Sequence, residues 1–180
     1  MYDAPLLDEP AREALRLASA ALDAAQAKAD PYGMTQALLQ LAGAHTQMNA
    51  PACAETYLQI ALRWARNAHA SDLTVDVLCE LSSAAETVAE AQDACAPGSG
   101  HVARERARDH AYEASMLASR VADPQWEMKV LLRISDVLDR CGDRADAVQM
   151  QTRALRLMAG PAAETLNPHV MPVLGRLADQ

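Results

Sequence analysis

The chain has 180 residues, of which 51% are hydrophobic and only 3% aromatic, with no phenylalanine. This length suits one large domain or a short array of repeats with a sizeable core. The formal charge of -8 argues against nucleic acid and anionic membrane as main partners, since both are negatively charged. Alanine and leucine dominate and β-branched residues are sparse, so the composition predicts an all-α protein.

The predicted elements, in chain order, are an irregular arm, an N-terminal helix, three helical hairpins and C-terminal capping helices. Their ranges are 1–9; 10–30; 33–70, 72–122 and 124–160; and 161–180. Asp30-Pro31 and Asp123-Pro124 predict helix boundaries, because the residue before proline is pushed out of the α region. Ser71 or Asp72 is expected to cap the helix that follows it. The whole chain is predicted to form a single domain.

The middle hairpin contains two stretches that interrupt a plain helical pattern. Residues 95–100 read Cys-Ala-Pro-Gly-Ser-Gly, which predicts a surface loop and the best candidate for a mobile segment. The charged run ARERARDH at 103–110 is predicted to be a solvated extension of the next helix.

The four cysteines and the N-terminal residues give information about the cellular compartment of the protein. Cys53, Cys79, Cys95 and Cys141 lie far apart with no CxxC spacing, which predicts neither disulfides nor a zinc site. The first nine residues lack a basic and apolar targeting signal. No apolar run approaches the ~20 residues of a membrane span. The sequence therefore predicts a cytoplasmic protein with no membrane partner.

The first and third hairpins share one spacing of large and small residues without a gap. In the first hairpin the pattern is formed by Leu38, Leu41, Ala42, Asn49, Ala54 and Ala61; in the third, by Leu131, Ile134, Ser135, Gly142, Ala147 and Ala154. The middle hairpin repeats it with Leu78, Leu81, Ser82, Ala111 and Ala118, and has about 17 extra residues between its halves. Such a hairpin cannot bury its apolar face alone and must stack on neighbours.

These spacings resemble the tetratricopeptide repeat, a helix–turn–helix unit of about 34 residues. The chain departs from the family pattern where the family favours tyrosine, a large aromatic residue or proline, namely at His45, Leu138, Gln151, Arg66 and Ala159. The resemblance implies a right-handed α-solenoid of antiparallel helical hairpins, with about three tetratricopeptide-like units plus flanking helices. It also implies a concave groove lined by the first helix of each hairpin.

Carried over by spacing, polar and small residues from all three hairpins would line a peptide-binding groove. They are Gln36, Leu39, Gly43, Thr46 and Gln47; Asp76, Cys79, Ser83, Glu86 and Thr87; and Lys129, Leu132, Arg133, Asp136, Asp139 and Arg140. Some family members hold a peptide's terminal carboxylate with five clamp residues. Only Lys129 and Arg133 match that clamp, while Leu39, Gly43 and Glu80 replace the others, so we do not expect clamp-type recognition.

No motif indicates catalysis, a metal or a cofactor. The five histidines form neither HExxH nor Glu-x-x-His, and the PGSGH segment lacks the strand and GK[ST] ending of a phosphate loop. The basic run Arg104, Arg106 and Arg108 alternates with acidic residues and has no aromatic partners, which argues against nucleic acid. Trp64 and Trp126 are expected to fill gaps between helices rather than to anchor a ligand.

The leading hypothesis is a non-catalytic scaffold, not an enzyme, that binds a protein or peptide of unknown identity without cofactor or metal. One alternative is a tetratricopeptide chaperone of bacterial type III secretion. A second is a regulatory domain that senses a small ligand in an apolar pocket near Trp64 or Trp126. An uncapped repeat end would also allow self-association into a homo-oligomer. The preference for arginine over lysine indicates a bacterial source.

Overall fold

The computed structural model describes residues 9–159, and this part of the chain is helical throughout, as the composition predicts. It contains seven helices and no strand: α1 (Glu9–Ala27), α2 (Pro31–Gln47), α3 (Pro51–Asn67), α4 (Ser71–Cys95), α5 (His101–Ala118), α6 (Pro124–Arg140) and α7 (Arg144–Ala159). The three predicted hairpins correspond to α2–α3, α4–α5 and α6–α7. The predicted arm, apart from Glu9, and the predicted capping helices at 161–180 lie outside the described residues.

The helices pack in chain order around α4. Every helix contacts the next one along the chain, and α4 also contacts α2 and α6. Twelve of the 25 residues of α4 are buried, which makes it the central helix of the fold. Because α2, α4 and α6 touch one another in turn, the first helices of the three helix pairs lie side by side.

The residues of the predicted repeat pattern are buried, except for Asn49 and Gly142 in the turns. Leu131, Ile134, Ser135, Ala147 and Ala154 are each at most 2% exposed. Their counterparts in α2 and α3 are buried as well: Leu38, Leu41, Ala42, Ala54 and Ala61. The large residues of the first helices fill the core, and the small residues of the second helices leave space for the neighbouring helix.

The turns after α2 and α6 have the same geometry. Asn49 and Gly142 occupy corresponding positions, and both have positive φ, at 57° and 89°. In each turn the next backbone N–H donates to a carbonyl five residues earlier, from Ala50 to His45 at 2.9 Å and from Asp143 to Leu138 at 2.8 Å. Glycine and asparagine adopt this left-handed conformation more readily than other residues, which favours them here, although Ala29 and His69 adopt it in the turns after α1 and α3.

Replacing Gly142 by alanine is expected to lower the free energy of unfolding by about 1–2 kcal/mol, because a Cβ is disfavoured at positive φ. Gly142→Asn should cost less, since Asn49 adopts the same conformation. The matched control is Gly43→Ala, in the interior of α2, where an added Cβ meets nothing within 4 Å. That change should stabilise by about 0.5–1 kcal/mol. Urea unfolding of the three variants measures the expected loss of stability at Gly142 and the expected gain at Gly43. Equal effects at the two glycines would contradict the turn assignment.

The extra residues of the predicted middle hairpin are helical apart from the loop 96–100, and they lengthen α4 and α5. At 25 residues, α4 is eight residues longer than α2 or α6. The helix α5 is extended at its N-terminal end: it begins ten residues before Ala111, whereas α3 begins three residues before the corresponding Ala54. The added helical stretches, at 88–95 and 101–107, meet at the loop 96–100, where the sequence predicts one.

The loop 96–100 is held by hydrogen bonds to the end of α4. The Ser99 hydroxyl donates to the Gln92 carbonyl at 2.8 Å, and the Gly100 N–H donates to the Asp93 carboxylate at 2.7 Å. Gly100 is buried and lies so close to the Ala89 backbone that a Cβ would clash with it. These contacts argue against the mobile segment that the sequence suggested.

Two predicted helix starts need correction. Ala70, rather than Ser71 or Asp72, is the N-cap of α4, and no side chain caps that helix end. The helix α2 begins at Pro31, two residues before the predicted Gly33. Asp123 does act as a cap, since its carboxylate accepts from the N–H groups of Gln125 and Trp126 at 3.0 Å. The cap prediction at α4 was wrong because a helix can start without a side-chain acceptor.

Candidate functional site

By their spacing, the predicted groove residues of each helix lie on one side of that helix, and we call these sides of α2, α4 and α6 together the α2–α4–α6 face. Its exposed members are Gln36, Gly43, Thr46 and Gln47 on α2, and Lys129, Leu132, Arg133, Asp136, Asp139 and Arg140 on α6. Leu39 on α2 and Asp76, Ser83 and Thr87 on α4 are half-buried. Most of the predicted groove residues are therefore accessible from solvent.

Two of the predicted groove residues are not accessible. Cys79 is 3% exposed and Glu86 is 1% exposed, so neither side chain can touch a partner on this face. Burial raises the pKa of the Cys79 thiol to about 12, which leaves it protonated and unreactive at neutral pH. The prediction was wrong at these positions because α4 contacts both α2 and α6, which leaves it a narrower exposed strip than a helix with one neighbour.

The accessible strip of α4 also contains Glu80, which the sequence comparison placed at a clamp position but not among the predicted groove residues. Glu80 is exposed and forms an ion pair with Arg133 of α6, at 2.7 Å between its Oε1 and the arginine Nη2. Glu80 lies one helical turn after Asp76, so the i to i+4 spacing on α4 would have indicated it. The pair links the first helices of two successive helix pairs.

On the α4 side of this strip, the charged residues near Asp76 are acidic. Burial raises the pKa of Asp76, the positive charge of Arg133 opposes that rise, and the negative charges of Asp72 and Glu80 add to it. The neighbouring helix α2 contains no Lys, Arg, Asp or Glu. The only strong positive charge near Asp76 in the described structure thus comes from α6.

The end of the face near the loop 96–100 contains a buried carboxylate. Glu86 is paired with Arg140, at 3.3 Å between Oε2 and the arginine Nε, and these are two predicted site residues that the structure brings together. Burial and a hydrogen bond with Glu90 raise the pKa of Glu86, while the charge of Arg140 lowers it. Arg140 is therefore part of the packing of α6 on α4, and only part of its side chain faces solvent.

Three exposed residues of α6 form no ion pair with the rest of the described structure. Lys129 and Asp136 are exposed, and neither is in an ion pair within 9–159. Leu132 lies between them and is 41% exposed. Their spacing of three and four residues places them on one side of the helix. A charged pair around an exposed leucine is a surface that can contact a partner without unfolding the core.

The basic run on α5 has a different role from the predicted solvated extension. Arg104 pairs with Asp93, Arg106 pairs with Glu55 at 3.1 Å, and Arg108 pairs with Asp143. Arg108 also donates to the Cys141 carbonyl at 3.0 Å. The alanines between them, Ala103 and Ala107, are 1% and 0% exposed. This stretch connects α5 to α3, α4 and the turn before α7, and its positive charges are neutralised within the fold.

Two open cavities flank the extended ends of α4 and α5. The first, of about 530 Å³, has an uncharged lining from the α2–α3 turn and the end of α4, including the exposed Cys53 and Cys95. The second, of about 390 Å³, is lined by Arg104, Arg108 and Arg140 beside the α6–α7 turn. Neither cavity has a tryptophan in its lining.

The tryptophans pack against the core, as the sequence predicts. Trp64 and Trp126 are half-buried and lie against the main hydrophobic cluster. The two cavities described above are therefore not the pocket near Trp64 or Trp126 that a ligand-sensing domain would need. Within 9–159, no three His, Cys, Asp or Glu side chains are grouped to hold a metal ion. None of the seven helices combines the length and hydropathy of a membrane-spanning helix.

No family model matches the chain, and no curated protein matches it significantly. Solved structures that are similar include a chain described as "DHF58 filament", with 22% sequence identity and a TM-score of 0.46. The match covers 84% of this chain and 82% of that chain. A likeness at this level supports no conclusion about assembly or function.

Proposed function

We propose that this protein is a non-catalytic scaffold that binds a segment of another protein on the α2–α4–α6 face. The fold we infer is a right-handed α-solenoid of three tetratricopeptide-like hairpins, preceded by α1. The observation that carries the proposal is the contact of α4 with both α2 and α6, since these first helices would line the groove of such an array.

The regular turns support the repeat interpretation. Positive φ occurs at Ala29, Asn49, His69 and Gly142, each two residues before the next helix begins. Four of the six connections between described helices thus use one turn geometry. A chain that repeats one turn between helices of similar length adds each helix at a similar angle, and this produces a curved array.

The side chains of the face support recognition of a peptide rather than a small molecule. Lys129, Leu132 and Asp136 offer a positive charge, an apolar contact and a negative charge along one side of α6. Gly43 on α2 has no side chain, and nothing lies within 4 Å of the position that its Cβ would occupy. An extended or helical peptide can use such spaced contacts along several helices, whereas a small ligand requires an enclosed pocket.

A charge-swap experiment tests the proposal. Peptides selected from a display library on the native protein should lose at least tenfold in affinity, about 1.4 kcal/mol, for Lys129→Glu combined with Asp136→Lys. The matched control is Arg63→Glu with Asp109→Lys, an identical set of charge changes at exposed positions of α3 and α5. Affinities from calorimetry should change less than about twofold for the control.

Circular dichroism should show that both variants fold, since none of the four side chains is buried. Equal affinity losses in the face variant and the control would contradict the assignment of the binding surface. Arg140, although on the face, is unsuitable for this test because its replacement also disturbs Glu86.

The secretion-chaperone alternative stays a prediction, because it depends on architecture alone. Its partner would still be a protein segment on the same face, so the charge-swap variants apply to it without change.

A further inference from the structure

Three arginines line the second cavity, which lies beside the α6–α7 turn and has a volume of about 390 Å³. Arg104 and Arg108 belong to α5, and Arg140 is the last residue of α6. The other residues of the lining are His101, Glu105, Cys141 and Gly142. Glu105 is thus the one acidic residue of the lining, although the chain as a whole has a formal charge of -8.

The acidic partners of these arginines hold them in place from outside the lining of the cavity. The three ion pairs are Arg104 with Asp93, Arg108 with Asp143 and Arg140 with Glu86. None of the three partner carboxylates belongs to the lining. Because the ion pairs already restrict the arginine side chains, a ligand that binds to them would lose less affinity to side-chain ordering.

The ion pairs leave part of each guanidinium group available to a ligand. Arg104 contacts its partner through Nη2 and Arg140 through Nε. Arg108 contacts its partner through Nε and donates from Nη2 to the Cys141 carbonyl at 3.0 Å. A guanidinium group has more N–H donors than one carboxylate can accept. Within 9–159, Nη1 of all three arginines remains without a hydrogen-bond acceptor.

Two of the three ion pairs are also imperfectly aligned. In the described part of the chain, the buried side-chain nitrogen and oxygen atoms without a hydrogen-bond partner are Arg108 Nε, Asp143 Oδ2 and Glu86 Oε2. All three atoms belong to the ion pairs behind this cavity. Since buried polar groups are almost always hydrogen-bonded, this cluster has hydrogen-bonding capacity that the fold itself does not use.

We propose that this cavity binds a phosphate group, free or as the monoester of a small molecule, through the guanidinium groups of Arg104, Arg108 and Arg140. The planar array of donors on arginine matches the oxygens of phosphate, and the cavity has the size of a small-molecule site. The site shares only Arg140 with the α2–α4–α6 face and does not depend on the binding proposed there.

Calorimetric titration of the full chain with inorganic phosphate and with methyl phosphate, at constant ionic strength, tests the proposal. At least one of the two probes should bind saturably below about 10 mM. Glu105→Gln removes the acidic group of the lining and should tighten binding about threefold, whereas His101→Glu should weaken it about threefold. Both residues are exposed, and circular dichroism should show that both variants fold.

Two controls separate the cavity from the overall charge of the chain. Asp23→Asn, at an exposed position of α1, changes the net charge as Glu105→Gln does and should alter the affinity by less than about 1.5-fold. Arg104→Lys keeps the charge, loses the planar donor array and should weaken binding about fivefold. Arg63→Lys, at an exposed position of α3, should leave the affinity unchanged.

The proposal is supported if a probe binds and the affinity responds to Glu105 and Arg104 but not to Asp23 and Arg63. It is overturned if neither probe binds saturably, or if Glu105→Gln and Asp23→Asn have equal effects, because the attraction would then come from the overall charge. Peptide affinity of the α2–α4–α6 face is measured separately, so either proposal can fail without the other.

Discussion

Leu81→Ala is expected to destabilise the protein by about 2–5 kcal/mol. Leu81 is fully buried in α4, the helix that contacts α2, α3, α5 and α6. Truncation removes apolar area from water and leaves a cavity that the surrounding helices cannot fill, because each is held by a further neighbour. Since whole domains are stable by only about 5–15 kcal/mol, this single change removes a large share of the total.

The matched control for Leu81 is Leu132→Ala on α6. The side chain is the same, but Leu132 is 41% exposed on the α2–α4–α6 face, so its loss should alter stability by less than about 0.5 kcal/mol. Urea or thermal unfolding of the two variants checks the difference. A cost at Leu132 as large as that at Leu81 would mean that the face is buried in solution.

Arg140→Ala is expected to cost up to about 3 kcal/mol at neutral pH. Removing the arginine leaves the buried carboxylate of Glu86 without its paired charge, and only the weaker attraction of Arg104 still favours its ionised form. We place the effect at the low end of the range for such pairs, because Arg140 is 47% exposed and solvent screens its charge. Arg133→Ala is the control on the same helix, since its partner Glu80 is 49% exposed and such surface pairs contribute about 0–1 kcal/mol.

The cost of Arg140→Ala should depend on pH with a defined sign. Arg140 lowers the pKa of Glu86, so its removal raises that pKa further above the ordinary value of 4.5 in the folded state. A carboxyl group whose pKa is higher in the folded than in the unfolded state lowers the free energy of unfolding as pH rises. The deficit should therefore be small near pH 4.5 and grow towards pH 8, measured by urea unfolding. A deficit that shrinks as pH rises would contradict the pairing.

The core of the repeat could be predicted from the sequence because helical periodicity is a local property. The spacing of Leu131, Ile134 and Ser135 identifies one side of a helix without knowledge of its neighbours. The turn at Gly142 could be predicted for the same reason, since glycine followed by a polar residue ends a helix whatever packs against it. The buried residues of the predicted repeat pattern in α2, α3, α6 and α7 were all identified in this way.

The neighbours of each helix could not be predicted in the same way. Arg106 pairs with Glu55, 51 residues earlier in the chain, so the charges of α5 looked solvated when its sequence was considered alone. Cys79 and Glu86 were placed on the accessible face because their spacing is right for it. Their burial depends on α2 and α6, which both contact α4, and no pattern within α4 indicates two neighbours.

Composition and periodicity alone thus established an all-α chain, the buried sides of α2, α3, α6 and α7 and the likeness between the pairs α2–α3 and α6–α7, because these depend on residues a few positions apart. Only the tertiary structure showed how narrow the accessible strip on α4 is. It also showed the ion pairs of the basic run on α5 and the ion pair of Arg140. Each of these depends on which distant helices meet, and the free energy of that choice is distributed over contacts between residues far apart in the chain.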